Sequence, residues 1–450
     1  MKGYLMRTHE SICLGTPEIL LPKAGTDLTK WAVIACDQHT SEPEYWRKAA
    51  DFIGNAPSTL NLIYPEVFLR EPNPETRIAS IRDSMNRYLA QDLFTESEGF
   101  VYVERTIGSH ARKGLVACLD LEHYDFHKGA TSLIRATEGT IMERIPPRVR
   151  IREGAPIEIP HIMVLIDDPD HHVIGPLAAE KNRLRKLYDF ELMLGSGHLA
   201  GYRVVDTGLE RGILNGLKAL ADPAAFASKY GLKPGTPVLL YAMGDGNHSF
   251  ATAKTIWDKV KEAAADNKAM RSSPLRYALV ELVNLHDEAL VFEPIHRILF
   301  DLAPGLDPVE EMAKAHPGRC HMSPAGSLEA MKAGVDGQGD RSHKIGLISD
   351  SGFRIVEIEK PDSNLPVGTL QGCLDAFLRK TGSGAIDYVH GTDSVVQLGR
   401  KPGNLGFYLP AMKKEELFRT VILDGALPRK TFSMGEAWEK RFYMEARKLG

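Results

Sequence analysis

The stretch VLLYAMGDGNHSFATAKTIWDKV, Val238–Val260, changes its hydrophobic period midway. Val238–Met243 is a continuous apolar run, as expected of a strand buried on both faces. Beyond it Phe250, Ala253, Trp257 and Val260 recur at three- and four-residue spacing, one face of a helix. Strand, tight turn and helix therefore follow one another within a few residues, which calls for a layered fold with helices packed on a sheet. The turn is small and polar, Gly244 to Ser249. A helix's first turn carries backbone N–H groups without intrahelical acceptors and the positive end of its dipole. Gly244 and Gly246 would let a ligand approach the backbone, and an anion, above all a phosphate, is the natural guest. Asp245 suits a phosphate that arrives with Mg²⁺, and His248 could donate to a phosphoryl oxygen or shuttle a proton. The competing reading is an ordinary turn, since Gly, Asp and Asn are common there and at helix caps. Neither a P-loop nor a dinucleotide fingerprint is present.

Elsewhere strand-like and helix-like runs alternate, giving an α/β or mixed α+β class. WAVIACD (31–37) reads as a short strand, with a capping box from Ser41 to Glu44 opening the next helix. Residues 74–94 read as a helix, 99–107 and 114–124 as paired strands. Pro294 is expected to stop a strand and start a helix carrying His296 and Arg297. The glycine-rich loop 334–343 is expected to be a mobile connection. At 450 residues two parts are expected: a main α/β domain, 1–302, with a mixed sheet, and a smaller α/β portion, 303–450. In the second, the segment LPRKTF would return to the site.

The net charge of −4 gives no footprint for nucleic acid. The N-terminus is broken by charge and no apolar run nears the ~20 residues of a membrane span, so a cytoplasmic protein is expected. The five cysteines, with no C-x-x-C, signal neither a zinc ribbon nor a disulfide framework.

Other constellations compete with bland readings. Arg135, Glu138, Arg144, Arg148, Arg150 and Arg152 gather forks suited to phosphate and a possible base, or else form surface ion pairs. Asp37 and His39 end a strand, where ligand contacts collect; Cys36 beside His39 is a conceivable nucleophile pair. DDPDHH (167–172) looks rich in metal ligands but reads better as a solvated hairpin turn between two strands. His123 and His127 lie on a strand end rather than a helix, which weakens a metal reading. Lys430 lies in a Gly/Pro-bounded loop from which an ammonium can reach a phosphate.

These blocks together resemble the domain-of-unknown-function 1015 family. Its hallmark is a strand followed by Ala-Asp-Gly-His-His-Arg-Tyr and a helix. Here that segment is Gly244, Asp245, Gly246, Asn247, His248, Ser249 and Phe250, with Asn247 and Ser249 departing from the family's His and Arg. Arg135, Glu138 and Thr140, then Pro294, His296 and Arg297, then Lys430 and Thr431 fit further blocks, from about Pro17 to about Lys440. The turn is also similar, more distantly, to the phosphate loop of the ParB and sulfiredoxin superfamily, which binds CTP or ATP and includes a free serine kinase. That likeness implies a nucleotide-phosphate site.

The expectation is a nucleotide-dependent phosphotransferase or phosphohydrolase acting on a small polar metabolite such as a hydroxy amino acid. ATP, ADP or CTP with Mg²⁺ would bind at Gly246, Asn247 and Ser249. Arg135, Arg297 and Lys430 would neutralise charge. Asp245, His248 and Glu138 would be catalytic, with Asp245 also holding the metal, and Asp37, His39 and His296 would face substrate. The alternatives are a nucleotide-binding regulator without turnover, favoured by Ser249 in place of the Arg, and a metal-dependent hydrolase.

Overall fold

The computed structural model of the chain describes residues 6–69, 71–264, 270, 272–337, 339, 341–435 and 439–450. Two compact units make it up: Met1–Leu290 with Glu436–Gly450, and Val291–Gly435. The boundary expected after residue 302 falls at Leu290 because the next strand belongs to the second unit's sheet. What returns to the first unit is the chain's last segment, and the LPRKTF segment stays in the second.

The first unit is built on a mixed sheet. Its strands are β1 (Val101–Ile107), β2 (His110–Asp120), β3 (Tyr124–Asp125), β4 (Ile134–Arg135), β5 (Met163–Ile166), β6 (Arg185–Glu191), β7 (His198–Arg203), β8 (Tyr241–Asp245) and β9 (Tyr277–Asn284). Their order is β6-β7-β1-β2-β9-β5-β8-β4-β3. The sheet centres on β5, parallel to β9 and antiparallel to β8. Side-chain alternation explains the unbroken apolar runs. Leu115, Ala117, Leu119, Leu282 and Met243 face one core with Phe250, Ala253 and Trp257 of helix α3 (Asn247–Ala263). Val116, Cys118, Val101 and Leu279 face the other, with Trp46 and Ala49 of α1 (Pro43–Ile53) and Ile78 and Ile81 of α2 (Pro74–Ala90). Both faces of the sheet are thus covered.

Local detail departs from expectation in two places here. Helix α1 is capped by Glu42 without a side-chain bond, and Ser41 lies outside, because Pro43 at the first position already sets the helical φ. The 167–172 segment is no hairpin: it leads from β5 to a short helix, Gly175–Ala179, with Asp167 and Asp168 buried and Pro169–His172 exposed. Val173 N–H donates to Asp168 Oδ2 (2.8 Å), and Lys229 Nζ and His286 Nε2 reach Asp167 Oδ1 at 2.8 and 2.6 Å.

The last residues sew this unit together. Phe442–Tyr443 pairs with Val33–Ile34, Ala446 bridges Leu20, and Arg447–Lys448 pairs with Ile157–Glu158. Charged side chains go inward with the strands. Arg441 is buried between Glu281 of β9 and Glu445, its Nη2 2.6 Å from Glu445 Oε2. Arg447 Nε donates to Glu158 Oε1 at 2.6 Å, and Arg152 also reaches Glu158.

The second unit is an antiparallel sheet. Its strands are β10 (Phe292–Phe300), β11 (Cys320–Ala325), β12 (Ser342–Ser349), β13 (Gly352–Glu359), β14 (Ala385–His390), β15 (Leu405–Tyr408) and β16 (Phe432–Met434). The order is β11-β13-β12-β15-β10-β14, with β16 also on β10. Pro294 opens no helix: it sits near the start of β10, opposite Phe432, where a missing donor is tolerated. Ile298, Ile348, Val395 and Tyr408 form part of this unit's core with Met331 and Val335 of a helix, Leu328–Asp336. In the loop expected to be mobile, Gln338 and Asp340 lie outside the described residues.

Replacing Arg441 by Leu should leave the buried Glu281 and Glu445 uncompensated. The expected loss is about 3–5 kcal/mol, read as a fall in the urea midpoint of the first unit's unfolding. A midpoint within error of the wild type would show that the pair contributes nothing.

Candidate functional site

At the carboxyl end of β8 the ladder with β5 is irregular: Asp245 pairs with Met163 and Met243 with Val164. Gly244 is the extra residue of a bulge, a device that re-aims the side chain after it. Gly246 then turns the chain at φ +80°, and a Cβ there would lie 3.1 Å from Ile162 Cα. Only glycine suits both demands. As cap of α3 it has no side chain with which to accept from the first-turn amides. Phe250 N–H donates to Gly246 O, leaving the amides of Asn247, His248 and Ser249 without intrahelical acceptors. Gly246 N–H itself donates to Asp245 Oδ1 at 2.9 Å. The expected strand, turn and helix are in place, with an uncapped N-terminus at the turn.

Four segments converge on it. Thr137 Oγ1 donates to Met243 O (2.7 Å), which brings the 137–141 loop alongside. Ile141 N–H then donates to His248 Nε2 at 3.3 Å, so that nitrogen acts as an acceptor. Glu138 is half-buried on the same loop. Lys440 Nζ lies 3.5 Å from Asp245 Oδ2. At the centre stands His161, two residues before β5. Its Nδ1 is 2.7 Å from Tyr443 Oη, and its Nε2 is 3.5 Å from Asp37 Oδ2 and 3.4 Å from Ser249 Oγ. Both Asp37 and Ser249 meet the same ring nitrogen, which is not the arrangement of a serine-hydrolase triad. Glu66 forms an ion pair with Arg148, and its N–H donates to Cys36 O at 2.8 Å.

Three carboxylates, Asp37, Glu66 and Asp245, are thus matched by His161, Lys440 and Arg148. Burial pushes Asp37 up, but His161, the Gln38 amide and Lys440 outweigh it and hold its carboxyl well below the usual range. Burial pulls His161 down, but Asp37, Asp245 and Glu66 outweigh it and raise the imidazole above its ordinary value. The two form an ion pair. Glu66 is raised, by burial and by Asp37 against the pull of Arg148. Burial, then Asp37, pushes the Cys36 thiol up, which keeps it protonated and unsuited to nucleophilic attack. Two polar atoms beside the turn, Asn247 Oδ1 and Thr140 Oγ1, are buried without a hydrogen-bond partner. Such atoms in a folded protein call for a ligand or water.

The other expected residues take different positions. His39 sits at φ +50°, stacks on Tyr45 (3.8 Å between centroids) and lies 3.0 Å from Glu42 Oε1. Arg135 is buried and donates to the carbonyls of Ser132, Pro237 and Val238; burial lowers its guanidinium to about 10. That arginine ties the entry of β8 to β4, and its fork faces backbone rather than an open turn. Arg150 pairs with Glu75 at the surface. His296, Arg297 and Lys430 belong to the second unit. There Leu409 N–H donates to His296 Nδ1, and burial lowers that imidazole to about 4. Arg297 donates to Gln371 Oε1 (3.2 Å) and Arg429 O (2.8 Å), with its guanidinium over Tyr388. Lys430 is exposed at φ +54°. His161, Glu66, Lys440 and Tyr443 were not legible as site residues: each sits in an ordinary apolar or tail segment and gains its meaning from partners far away in sequence.

Among the described residues no group of three or more His, Cys, Asp and Glu side chains is placed to hold a metal, and no helix is long and apolar enough to cross a membrane. The model of the DUF1015 family, proteins of unknown function, matches residues 20–377. The chain belongs to the DUF1015 family. The match takes in the turn, Asp37, Glu66 and His161, while Lys440 and Tyr443 lie beyond it. No curated protein matches. Among solved structures, a free serine kinase in complex with AMP is 11% identical with a TM-score of 0.37, covering 74% of this chain and 92% of its own. A conserved hypothetical protein from Pyrococcus furiosus is 11% identical (TM-score 0.34, 74% and 95%). SbnI from Staphylococcus aureus is 8% identical (TM-score 0.34, 71% and 82%).

The Asp37–His161 pair sets a pH window. Asp37's folded value is depressed, so its contribution is present above about pH 4 and lost as pH falls through the folded value. His161's is raised, so its contribution is full below about pH 6.5 and lost as pH rises through its folded value. The pair is therefore strongest between about pH 4 and 6.5. By NMR, the His161 ring should titrate above the ordinary histidine value in the wild type and below it in Asp37→Asn, where burial is left dominant. An unchanged His161 titration in Asp37→Asn would show that the pair does not form.

Proposed function

We propose that this DUF1015-family chain binds the phosphates of a nucleotide at the Gly246–Ser249 turn and transfers or removes a phosphoryl group on a small polar metabolite. The observation that carries this reading is the uncapped start of α3 set against a charge-balanced Asp37–His161–Lys440–Asp245 cluster. Phosphoryl transfer asks mainly for positioning and charge neutralisation, and this cluster offers both. The amides of Asn247, His248 and Ser249 cradle phosphate oxygens in the manner of a ParB/sulfiredoxin-type loop, and Lys440 adds a point charge. Asp37, kept ionised by His161, accepts the proton of an attacking hydroxyl. His248 is placed to orient a phosphoryl oxygen or pass a proton. A hydroxy amino acid fits as acceptor, and all these groups lie in the first unit.

ATP, ADP or CTP with Mg²⁺ fits the donor set. Mg²⁺ keeps several waters and takes one or two carboxylates plus phosphate oxygens, so it needs no protein cage. Asp245 would supply a carboxylate oxygen, and the orphaned Asn247 Oδ1 suits one of its waters. Bound there, the ion would neutralise phosphate charge. A second reading, a nucleotide-binding regulator without turnover, is favoured by Ser249, which brings no charge where the family hallmark has Arg.

Incubation with ATP, ADP or CTP plus Mg²⁺, with and without an amino-acid mixture, separates the two. Nucleotide consumption that depends on an acceptor is expected. Asp37→Asn should cut it by about 10²–10⁴ while leaving nucleotide binding intact. His248→Ala should remove nucleotide protection in a thermal-shift assay while circular dichroism stays native, and Gly246→Val should do the same, read against its own lowered apo melting temperature because its Cβ crowds Ile162. Saturable binding without turnover would establish the regulator. Full protection in both variants would remove the turn from the function.

A further inference from the structure

We propose that the 139–144 segment beside the Gly246 turn seats the nucleoside half of the ligand, with the base against Ile141 and Met142 and the Arg144 guanidinium stacked on it. This seat rests on the phosphate reading of the turn and gives the rest of the nucleotide a place.

The segment is tied to the turn at two points. Thr137 Oγ1 donates to Met243 O (2.7 Å), and Ile141 N–H donates to His248 Nε2 (3.3 Å). Ile141 therefore stands against the first turn of α3. The chain then makes a single 3-10 turn, Met142–Arg144, in which Arg144 N–H donates to Ile141 O at 3.0 Å. Residues three apart eclipse in such a turn, so Ile141 and Arg144 share one side. Ile141 is 45% exposed and Met142 53%, two large apolar side chains left in water next to a charged site. Methionine is flexible and polarizable, which suits it to the flat face of a ring.

Arg144 differs from the arginines that follow it. Arg148 pairs with Glu66, Arg150 with Glu75 and Arg152 with Glu158. Arg144 is exposed and makes no ion pair among the described residues. A planar, weakly hydrated guanidinium in that position stacks readily on an aromatic face. Thr140 Oγ1, one residue before Ile141, is buried without a partner, and a sugar hydroxyl is a partner of the kind it lacks. The flank of the turn toward Asp37, His161 and Lys440 is charged and suits the transferred group. The flank toward Ile141 is the apolar one, and a purine or pyrimidine ring, apolar on its faces, belongs there.

Isothermal titration of the full chain with ADP and with pyrophosphate, both with Mg²⁺, tests this. ADP is expected to bind about tenfold tighter than pyrophosphate, because only ADP covers the apolar pair. Met142→Ser should weaken ADP several-fold, and Arg144→Lys, which keeps the charge but loses the plane, about threefold. Pyrophosphate affinity should stay unchanged in both variants. The two side chains are exposed, so both variants should keep the wild-type melting temperature. Pyrophosphate binding as tightly as ADP, or ADP indifferent to both substitutions, would overturn the nucleoside seat alone. A wild-type chain that binds neither ligand would overturn the phosphate turn and the seat with it.

Discussion

The buried ion pairs between the last residues and the first unit's interior are the constraint on which the other features rest. Glu281 projects from strand β9 and Glu158 lies in the short strand Ile157–Glu158, both almost wholly out of solvent. A carboxylate in such a place costs several kcal/mol unless it is paired and hydrogen-bonded. Arg441 and Arg447 supply the partners, from a segment far away along the chain. The same segment delivers Lys440 to Asp245 and Tyr443 to His161. The carboxylates that would not tolerate the tail's absence therefore also fix the position of two site residues. Fold and site are completed by the same few residues.

The site shows how a small region can concentrate charge without cost in net charge. Burial alone would neutralise Asp37 and His161; proximity keeps both ionised. Tyr443 Oη, on the far ring nitrogen, accepts from Cys36 N–H at 3.1 Å and so holds the ring in one orientation. The imidazole is then fixed at both nitrogens, between the Asp37 strand end and the first turn of α3. Pre-set dipoles and charges of this kind need little reorganisation when an anion arrives.

What was legible in the sequence was local. The switch of period at Val238–Val260 survives in the structure because strand, turn and helix are each set by neighbours within a few residues. The mixed α/β character, the β1–β2 hairpin and helices α1 and α2 follow the same logic. Pro294 misled because β10 gains partners on both sides, β14 and β15, and that pairing outweighs a local stop signal. DDPDHH misled in part: its first two carboxylates are buried because Lys229, His286 and the Val173 amide answer them, while Pro169–His172 stay exposed. The site's centre was hidden for a sharper reason. His161 has Tyr443, Asp37 and Ser249 as partners, none of them near in sequence, and no spacing rule brings such residues together. Asp37 was readable because it ends a strand, but its partner was not.

Strand β5 connects these themes. It is only four residues long and buried on both faces, with His161 just before it and Asp167 and Asp168 just after. A strand so placed has little freedom to shift, since its neighbours β8 and β9 grip it from either side. The bulge at Gly244 allows β8 to follow β5 and still aim Asp245 toward Lys440. At the other end, the parallel register with β9 sets Asn284 against the Asp168 turn and so fixes His171. Polar groups at both ends are thereby held by backbone rather than by mobile loops, which is the condition for a preorganised site.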